Sequence, residues 1–178
     1  MIDQLTRGRA LRTARLDLRP PELADAPRLA ALANDFDVVR MTGSMPFPYT
    51  LADAEGFVRH ARAADPSEET LFVIDLPGEG PIGTIGLDPD GVMTVEAGYW
   101  LGRSYWGRGY ATEALASVLA WARDSWGRRC VTARHFADNP ASGAVLIKAG
   151  FLYTGRMGPW PCRARGEDVA TRWMVWLA

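Results

Sequence analysis

Between residues 71 and 101 the chain changes its hydrophobic period. Leu71-Phe72-Val73-Ile74 is a continuous apolar run, and Pro77-Gly78-Glu79-Gly80-Pro81 interrupts it. Ile82 to Leu87 follows, Asp88-Pro89-Asp90-Gly91 interrupts again, and Val92 to Leu101 completes the set. Apolar runs too short for helices, joined by turns of glycine, proline and aspartate, pair most simply with their neighbours, so this stretch predicts an antiparallel meander. Gly83, Gly86 and Gly98 inside the predicted strands mark bulges or close backbone approach.

The flanks read differently. Leu16-Asp17-Leu18 alternates and stops at Pro20-Pro21, as a short strand does. Asp25 and Pro27 open a helix with Leu29, Leu32 and Ala33 at helical spacing. A loop over 42–50 carries Phe47 and Tyr49 among Gly43, Pro46 and Pro48, and Thr50 caps a second helix with Leu51, Ala54, Phe57, Val58 and Ala61 on one face. After the meander, Ala111, Leu115, Val118, Leu119, Ala122 and Trp126 share a helical face that Gly127 ends. Cys130 to Ala133 is a strand. Asn139-Pro140 opens a short helix with Val145, Leu146 and Ala149 inward and Gly150 as its stop. Phe151 to Met157 and Val169 to Leu177 are two final strands around a loop rich in glycine, proline and arginine. The fold class is therefore α/β (α+β), a mixed sheet with helices on its faces.

The 178 residues, 48% of them hydrophobic, suit one domain over 13–178 with a flexible arm over 1–12. Lys and Arg number 20 against 21 Asp and Glu, so the basic excess of bulk nucleic-acid binding is missing. Two cysteines and two histidines make neither a disulfide framework nor a standard zinc site, although a Cys130–Cys162 pair stays open. No metal is expected. Met1-Ile2-Asp3-Gln4 carries no apolar run behind it, and the longest apolar stretch, Leu115 to Ala122, is too short to span a bilayer, so a cytoplasmic protein without a membrane partner is expected.

The chemistry concentrates in Gly98-Tyr99-Trp100-Leu101-Gly102-Arg103-Ser104-Tyr105-Trp106-Gly107-Arg108-Gly109-Tyr110-Ala111-Thr112-Glu113-Ala114. A strand runs into a turn holding Gly107 and Gly109, and an amphipathic helix begins at once. Unpaired N–H groups at such a helix start point at whatever precedes it, and a phosphate fits there. Glycine lets the backbone approach a ligand, and Arg108 could add a charge-assisted bond. No P-loop string is present. Gly107-Arg108-Gly109-Tyr110-Ala111-Thr112 puts threonine where a dinucleotide fingerprint needs its last glycine, and the strand after the helix ends near Arg134-His135 without a ribose-binding acid. A pyrophosphate held by backbone amides is the third reading, and a ligand-free glycine turn the plainest.

Trp106-Gly107-Arg108-Gly109-Tyr110-Ala111 resembles the acyl-CoA pyrophosphate loop, Gln/Arg-x-x-Gly-x-Gly/Ala, of the GNAT superfamily of N-acetyltransferases, with Trp106 departing from the Gln/Arg position. The wider string from Gly98 to Ala114 is similar to that of the ribosomal-protein-acetyltransferase (RimJ/RimL-like) branch. So are Asn139-Pro140-Ala141-Ser142 through Lys148-Ala149-Gly150-Phe151, the Thr13 to Pro20 strand, and Pro46 to Tyr49. The resemblance implies a GNAT fold, with a twisted, mostly antiparallel sheet of about seven strands that splays between its two central strands and carries helices on both faces. It implies acetyl-CoA as cosubstrate and direct transfer to a primary amine on a small molecule or protein N terminus; a monomer and a homodimer both stay open. A non-catalytic acyl-CoA-binding module is the alternative, and a dinucleotide-dependent oxidoreductase a more distant one.

Acetyl transfer needs a neutral amine, whose pKa starts at about 10.4 for lysine or about 7.7–8.0 for an α-amino group, and hence a proton acceptor. It also needs an N–H donor for the developing oxyanion and a partner for a thiolate of pKa about 8.5. Glu96, in the apolar strand Val95-Glu96-Ala97-Gly98-Tyr99, is the preferred base, with a solvent-facing glutamate as the equal alternative. His135 is a second candidate, more simply an exposed strand-end residue. By resemblance, the strand segment Gly98 to Leu101 parts from its neighbour at a bulge, with Gly98 as the bulge. Tyr99, Trp100, Leu101, Arg103, Trp106, Gly107, Arg108, Gly109, Tyr110, Ala111 and Thr112 then contact the cofactor, and an amide near Trp100 or Leu101 polarises the thioester. Asn139 contacts the pantetheine arm, and Ser142 lies near the sulfur as a possible acid; capping of the helix is the bland reading of both. Phe47, Tyr49 and Trp160 are expected as acceptor-pocket walls. Lys148 reads as a solvated residue, and Cys162 lacks an activating partner in sequence.

Overall fold

The computed structural model describes residues 10–91 and 94–178; residues 1–9 of the expected arm, and Val92 and Met93 of the third meander run, lie outside them. Three strands form the meander: β3 (Thr70–Leu76), β4 (Gly80–Pro89) and β5 (Val95–Leu101). Ahead of it come β1 (Leu11–Arg12), β2 (Asp17–Arg19) and helices α1 (Ala26–Ala33), α2 (Phe36–Val39) and α3 (Leu51–Ala63). Behind it come α4 (Tyr110–Asp124), β6 (Cys130–Phe136), α5 (Pro140–Lys148), β7 (Leu152–Cys162) and β8 (Glu167–Leu177). The sheet order is β1-β2-β3-β4-β5-β6-β8-β7. Every neighbouring pair is antiparallel except β5 and β6, as the crossover through α4 requires.

The apolar stripes read from sequence land on two cores. Leu115, Val118, Leu119 and Ala122 of α4 and Leu146 of α5 pack with Ile82, Ile85, Leu87 and Ala97 on one side of the sheet. Leu29, Ala30 and Ala33 of α1 and Ala54 and Val58 of α3 pack on Val73 on the other. Thr50 and Asp53 close a reciprocal cap at the start of α3, and Asn139 caps α5 by accepting from the Ser142 N–H.

Several boundaries differ from the sequence reading. Leu11 and Arg12, placed in the arm, pair with Leu18 and Asp17 as β1. The expected late loop is largely strand, because β7 continues from Met157 to Cys162 and only 163–166 turn. Pro159 and Pro161 fit there because β7 is the edge strand, where a missing N–H on the outer side breaks no ladder. Helix α2, one turn with Asp35 as its cap, was too short to show a period. No extra residue bulges at Gly98: the β4–β5 register runs unbroken from Pro89↔Val95 to Gly83↔Leu101.

The opening in the sheet arises instead between β5 and β6. Their ladder joins only Val95, Ala97 and the intervening Glu96 to Val131, Ala133 and Thr132. Past Ala97, β5 stays with β4 while β6 stays with β8 along its whole length. The bond from Gly102 N–H to Ile82 C=O fixes the phase of the β4 ladder. By alternation, Gly98 and Trp100 turn their backbone groups to β4, while Tyr99 and Leu101 turn theirs to the gap.

Gly83 keeps β4 and β5 close at this point, since a Cβ there would lie 2.1 Å from the Trp100 carbonyl oxygen and 2.9 Å from the Leu101 Cα. Gly83→Ala is therefore expected to destabilise the chain by about 1–3 kcal/mol, read as a lower urea midpoint, despite alanine's milder conformational entropy.

Candidate active site

The turn ahead of α4 has the backbone an anion needs. Gly107 and Gly109 sit at φ +72° and +81°, where a side chain is strained, and Gly109 is the N-cap of the helix. The first helical bond runs from Glu113 N–H to Gly109 C=O, so the N–H groups of Tyr110, Ala111 and Thr112 have no partner within the helix. Among the described residues no carbonyl accepts from the N–H of Gly107, Arg108 or Gly109. Trp106, where Gln or Arg was the pattern, donates its indole N–H to the Leu101 C=O at 2.8 Å and so ties the turn to the end of β5.

From this turn a cleft of about 1270 Å³ runs along the β5–β6 gap. Gly107, Gly109, Tyr110, Ala111 and Thr112 line one end; Tyr99, Trp100, Leu101, Asn139 and Ser142 line the middle; Glu96, Tyr49 and Trp160 line the acceptor side. Arg103, Arg108 and Phe47 do not line it. Arg103 pairs with Asp37 at 2.7 Å, Phe47 packs edge-on against Phe36, and Arg108 offers its carbonyl to Arg15. Lys148 is exposed at the cleft's edge.

Alternation along β5 separates two chemistries. Odd residues share the face of α4 and α5, and there the Tyr99 hydroxyl meets the Ser142 Oγ at 2.9 Å and donates to the Ser142 carbonyl at 3.2 Å. Burial pushes the Tyr99 hydroxyl up to about 12, against a small opposing pull from Ser142, so it keeps its proton at neutral pH. Even residues share the other face, where Glu96 lies across from Asp88 and beside Thr132. Burial pushes the Glu96 carboxyl up to about 7; Asp90 and Asp88 push the same way, and the neighbouring Arg134 pulls against them. Arg134 contacts Glu96 while lying 3.6 Å over the Trp160 ring. The gap lets these two faces meet.

Several participants carried no sequence signal. Asp88 and Glu69 line the acceptor side with His60, whose Nε2 is 2.8 Å from Glu69. Burial and the Glu69 charge raise Asp88 to about 6. These acids became visible only through the pairing that sets Asp88 opposite Glu96. His135, expected at an exposed strand end, is buried. Its Nδ1 faces the Phe136 carbonyl at 2.8 Å and so carries the proton, leaving Nε2 to accept from the Tyr153 hydroxyl at 3.0 Å. Both nitrogens are engaged in structure. Cys130 and Cys162 are free thiols, and the buried Cys162 Sγ faces the Arg40 and Thr42 carbonyls.

A family model for the acetyltransferase (GNAT) domain matches residues 15–152. The chain belongs to the GNAT acetyltransferases. An uncharacterized N-acetyltransferase p20 of Bacillus licheniformis is 27% identical over 164 residues, covering 89% of this chain and 90% of that one. The ribosomal-protein-serine acetyltransferase of Escherichia coli is 34% identical over a shorter stretch, 35% of each chain. The microcin C7 self-immunity acetyltransferase MccE, solved with acetyl-CoA and AMP, superposes with a TM-score of 0.81 at 19% identity, over 93% of this chain and 94% of that one. The GNAT fold expected from sequence is thus present, and among the described residues its sheet has eight strands.

The raised Glu96 makes stability depend on pH with a definite sign. Below about pH 4.5 the carboxyl is neutral in both states; as pH climbs to about 7 the unfolded chain releases a proton that the folded chain still holds, so stability falls across that window. Glu96→Gln should reduce the loss of stability between pH 5 and pH 8 by roughly 2 kcal/mol in urea melts. Leaving Arg134 without its partner costs the same at both pH values and drops out of the comparison.

Proposed function

We propose that this GNAT protein moves the acetyl group of acetyl-CoA directly to a primary amine whose molecule carries positive charge, either a small polyamine-like compound or a basic protein N terminus. The observation that carries the reading is the gap past Ala97, which joins an anion-ready turn on one face to a proton-accepting carboxylate on the other. Acetyl-CoA supplies the thioester and a thiol leaving group. The amides of the Gly107–Thr112 turn, at the positive end of the α4 dipole, suit its pyrophosphate. The gap-facing backbone of Tyr99 and Leu101 suits its amide-bearing arm, and the Leu101 N–H is the donor for the carbonyl oxygen, since the Leu101 C=O is already held by Trp106.

Glu96 takes the ammonium proton. Its ordinary carboxylate pKa would make it a poor acceptor, and the burial that lifts it to about 7 brings it nearer the amine. When the Tyr99 hydroxyl turns its single proton from the Ser142 carbonyl to the Ser142 Oγ, the Ser142 proton is free to donate to the departing sulfur. Both hydroxyls hold their protons far more tightly than a thiol of pKa about 8.5, so they stabilise the thiolate by hydrogen bonding rather than by full transfer. The choice of a cationic acceptor rests on Glu69 and Asp88 beside Glu96, on the acceptor side of the cleft.

Glu96→Gln is expected to lower kcat by about 100-fold, leave CoA affinity nearly unchanged, and remove the rise in rate centred near pH 7. Thiol release from acetyl-CoA, screened over diamines, polyamines, neutral-tailed amines and N-terminal peptides, tests the whole reading. Cationic acceptors should react best. Binding of CoA with no thiol release for any amine would leave a non-catalytic module, and no CoA binding at all would overturn the reading.

A further inference from the structure

We propose that Arg15 is a positioning residue for the pyrophosphate turn, cancelling the charge of Glu113 and fixing the Arg108 carbonyl so that the anion meets only N–H groups. The inference rests on the functional reading above and deepens it. The α4 start has a built-in conflict. Its free amides favour an anion, yet Glu113 stands in the first turn of the same helix, where a bare carboxylate would repel one. The structure resolves this with the segment between β1 and β2, remote in sequence. Arg15 Nε donates to Glu113 Oε2 at 2.7 Å, and its Nη2 lies 2.7 Å from the same oxygen. The Arg15 backbone N–H and the Thr13 hydroxyl donate to Glu113 Oε1 at 2.9 and 2.6 Å. Burial alone would raise the Glu113 carboxyl, but these bonds and the Arg15 charge outweigh it and hold it below the usual carboxylate range. Glu113 is therefore ionised and matched.

The same guanidinium reaches the turn itself. Nη1 donates to the Arg108 carbonyl at 3.0 Å, and the group lies 4.6 Å over the Tyr110 ring. A Cβ on Gly109 would meet Arg15 Nη2 at 3.4 Å, which places Arg15 directly against the helix start. A carbonyl held outward leaves the amides of the turn free to face the cleft. Sequence inspection offers no hint of this, because the partners lie 93 and 98 residues apart.

The test measures CoA and S-acetylpantetheine binding to the full chain, by calorimetry and by NMR titration respectively, because only the first carries a pyrophosphate. Arg15→Met keeps an apolar stem over Tyr110 and removes the charge. It should weaken CoA about tenfold and leave S-acetylpantetheine unchanged. Adding Glu113→Gln to that variant should recover at least about threefold of the loss, because the uncompensated carboxylate is then gone. A plain structural brace predicts no recovery, because removing Arg15 has already broken it and its second half has nothing left to lose. Unchanged CoA affinity in Arg15→Met, equal weakening of both ligands, or a double variant that regains less than that threefold would each overturn the proposal. Arg15→Lys, which keeps the charge but cannot span Glu113 and Arg108 together, should lie between wild type and Arg15→Met, and serves if the methionine variant does not fold. Failure of the wild-type chain to bind CoA would overturn the functional reading itself.

Discussion

A parallel ladder three residues long governs this molecule. β5 is committed to β4 through every pair from Val95 to Leu101, and β6 to β8 through every pair from Cys130 to Phe136. Each strand is thus fully held on its outer side, and the two need share only Val95–Ala97 with Val131–Ala133 to close the sheet. Beyond that point their separation costs few hydrogen bonds, and the Tyr99 backbone groups and the Leu101 N–H, which have no β6 partner, become the polar lining of a cleft. Backbone left unpaired in a closed sheet would be a defect. Here it faces a cavity that can supply a partner.

The parting also converts strand alternation into a division of labour. In a closed sheet, residues 96 and 99 would look into separate layers, Glu96 toward the α1 and α3 side and Tyr99 toward the α4 and α5 side. The gap joins those layers at one place. Hydroxyls that keep their protons then stand on one side of a single cleft and carboxyls with raised pKa on the other. Burial pushes both groups upward, but from different starting points, so near neutral pH the Tyr99 hydroxyl keeps its proton while the Glu96 carboxyl can exchange one.

Much of this was legible in the sequence, and what was missed shares a cause. The meander, the α4 stripe from Leu115 to Ala122, the Asn139 cap and the glycine turn are all local patterns, and each appears where the residues placed it. The errors came where distant chain decides the outcome. Pro159 and Pro161 signal a loop until the topology makes β7 an edge strand. His135 reads as exposed until Tyr153 and α5 cover the end of β6. Gly98 reads as a bulge because the expected splay needed a cause, whereas the divergence comes from the competing partners β4 and β8. In the site, the turn amides and Glu96 were readable one residue at a time. Asp88, Glu69 and Arg134 enter only through cross-strand pairing, and Arg103 and Phe47, readable as binding residues, are held instead by Asp37 and Phe36.

The charge arrangement follows from the same geometry. One end of the cleft is built for a polyanion and the other is lined with acids, although the chain as a whole is nearly neutral at −1. A protein field of this kind arises from placement: Arg134 and His60 join Glu96 and Glu69 at the acceptor side, while other arginines turn to structural partners. Arg19 is spent on Asp25 and Asp75, Arg103 on Asp37, Arg165 on Asp138 and Arg15 on Glu113. With those cations occupied, the anionic end depends on oriented amides and a helix dipole, which act over a few ångströms and fade within a turn. The positive field there fades before it can repel the ammonium at the acceptor end, and solvent screens the acids from the pyrophosphate along the cleft. Two ligands of opposite charge can therefore share one opening in a sheet.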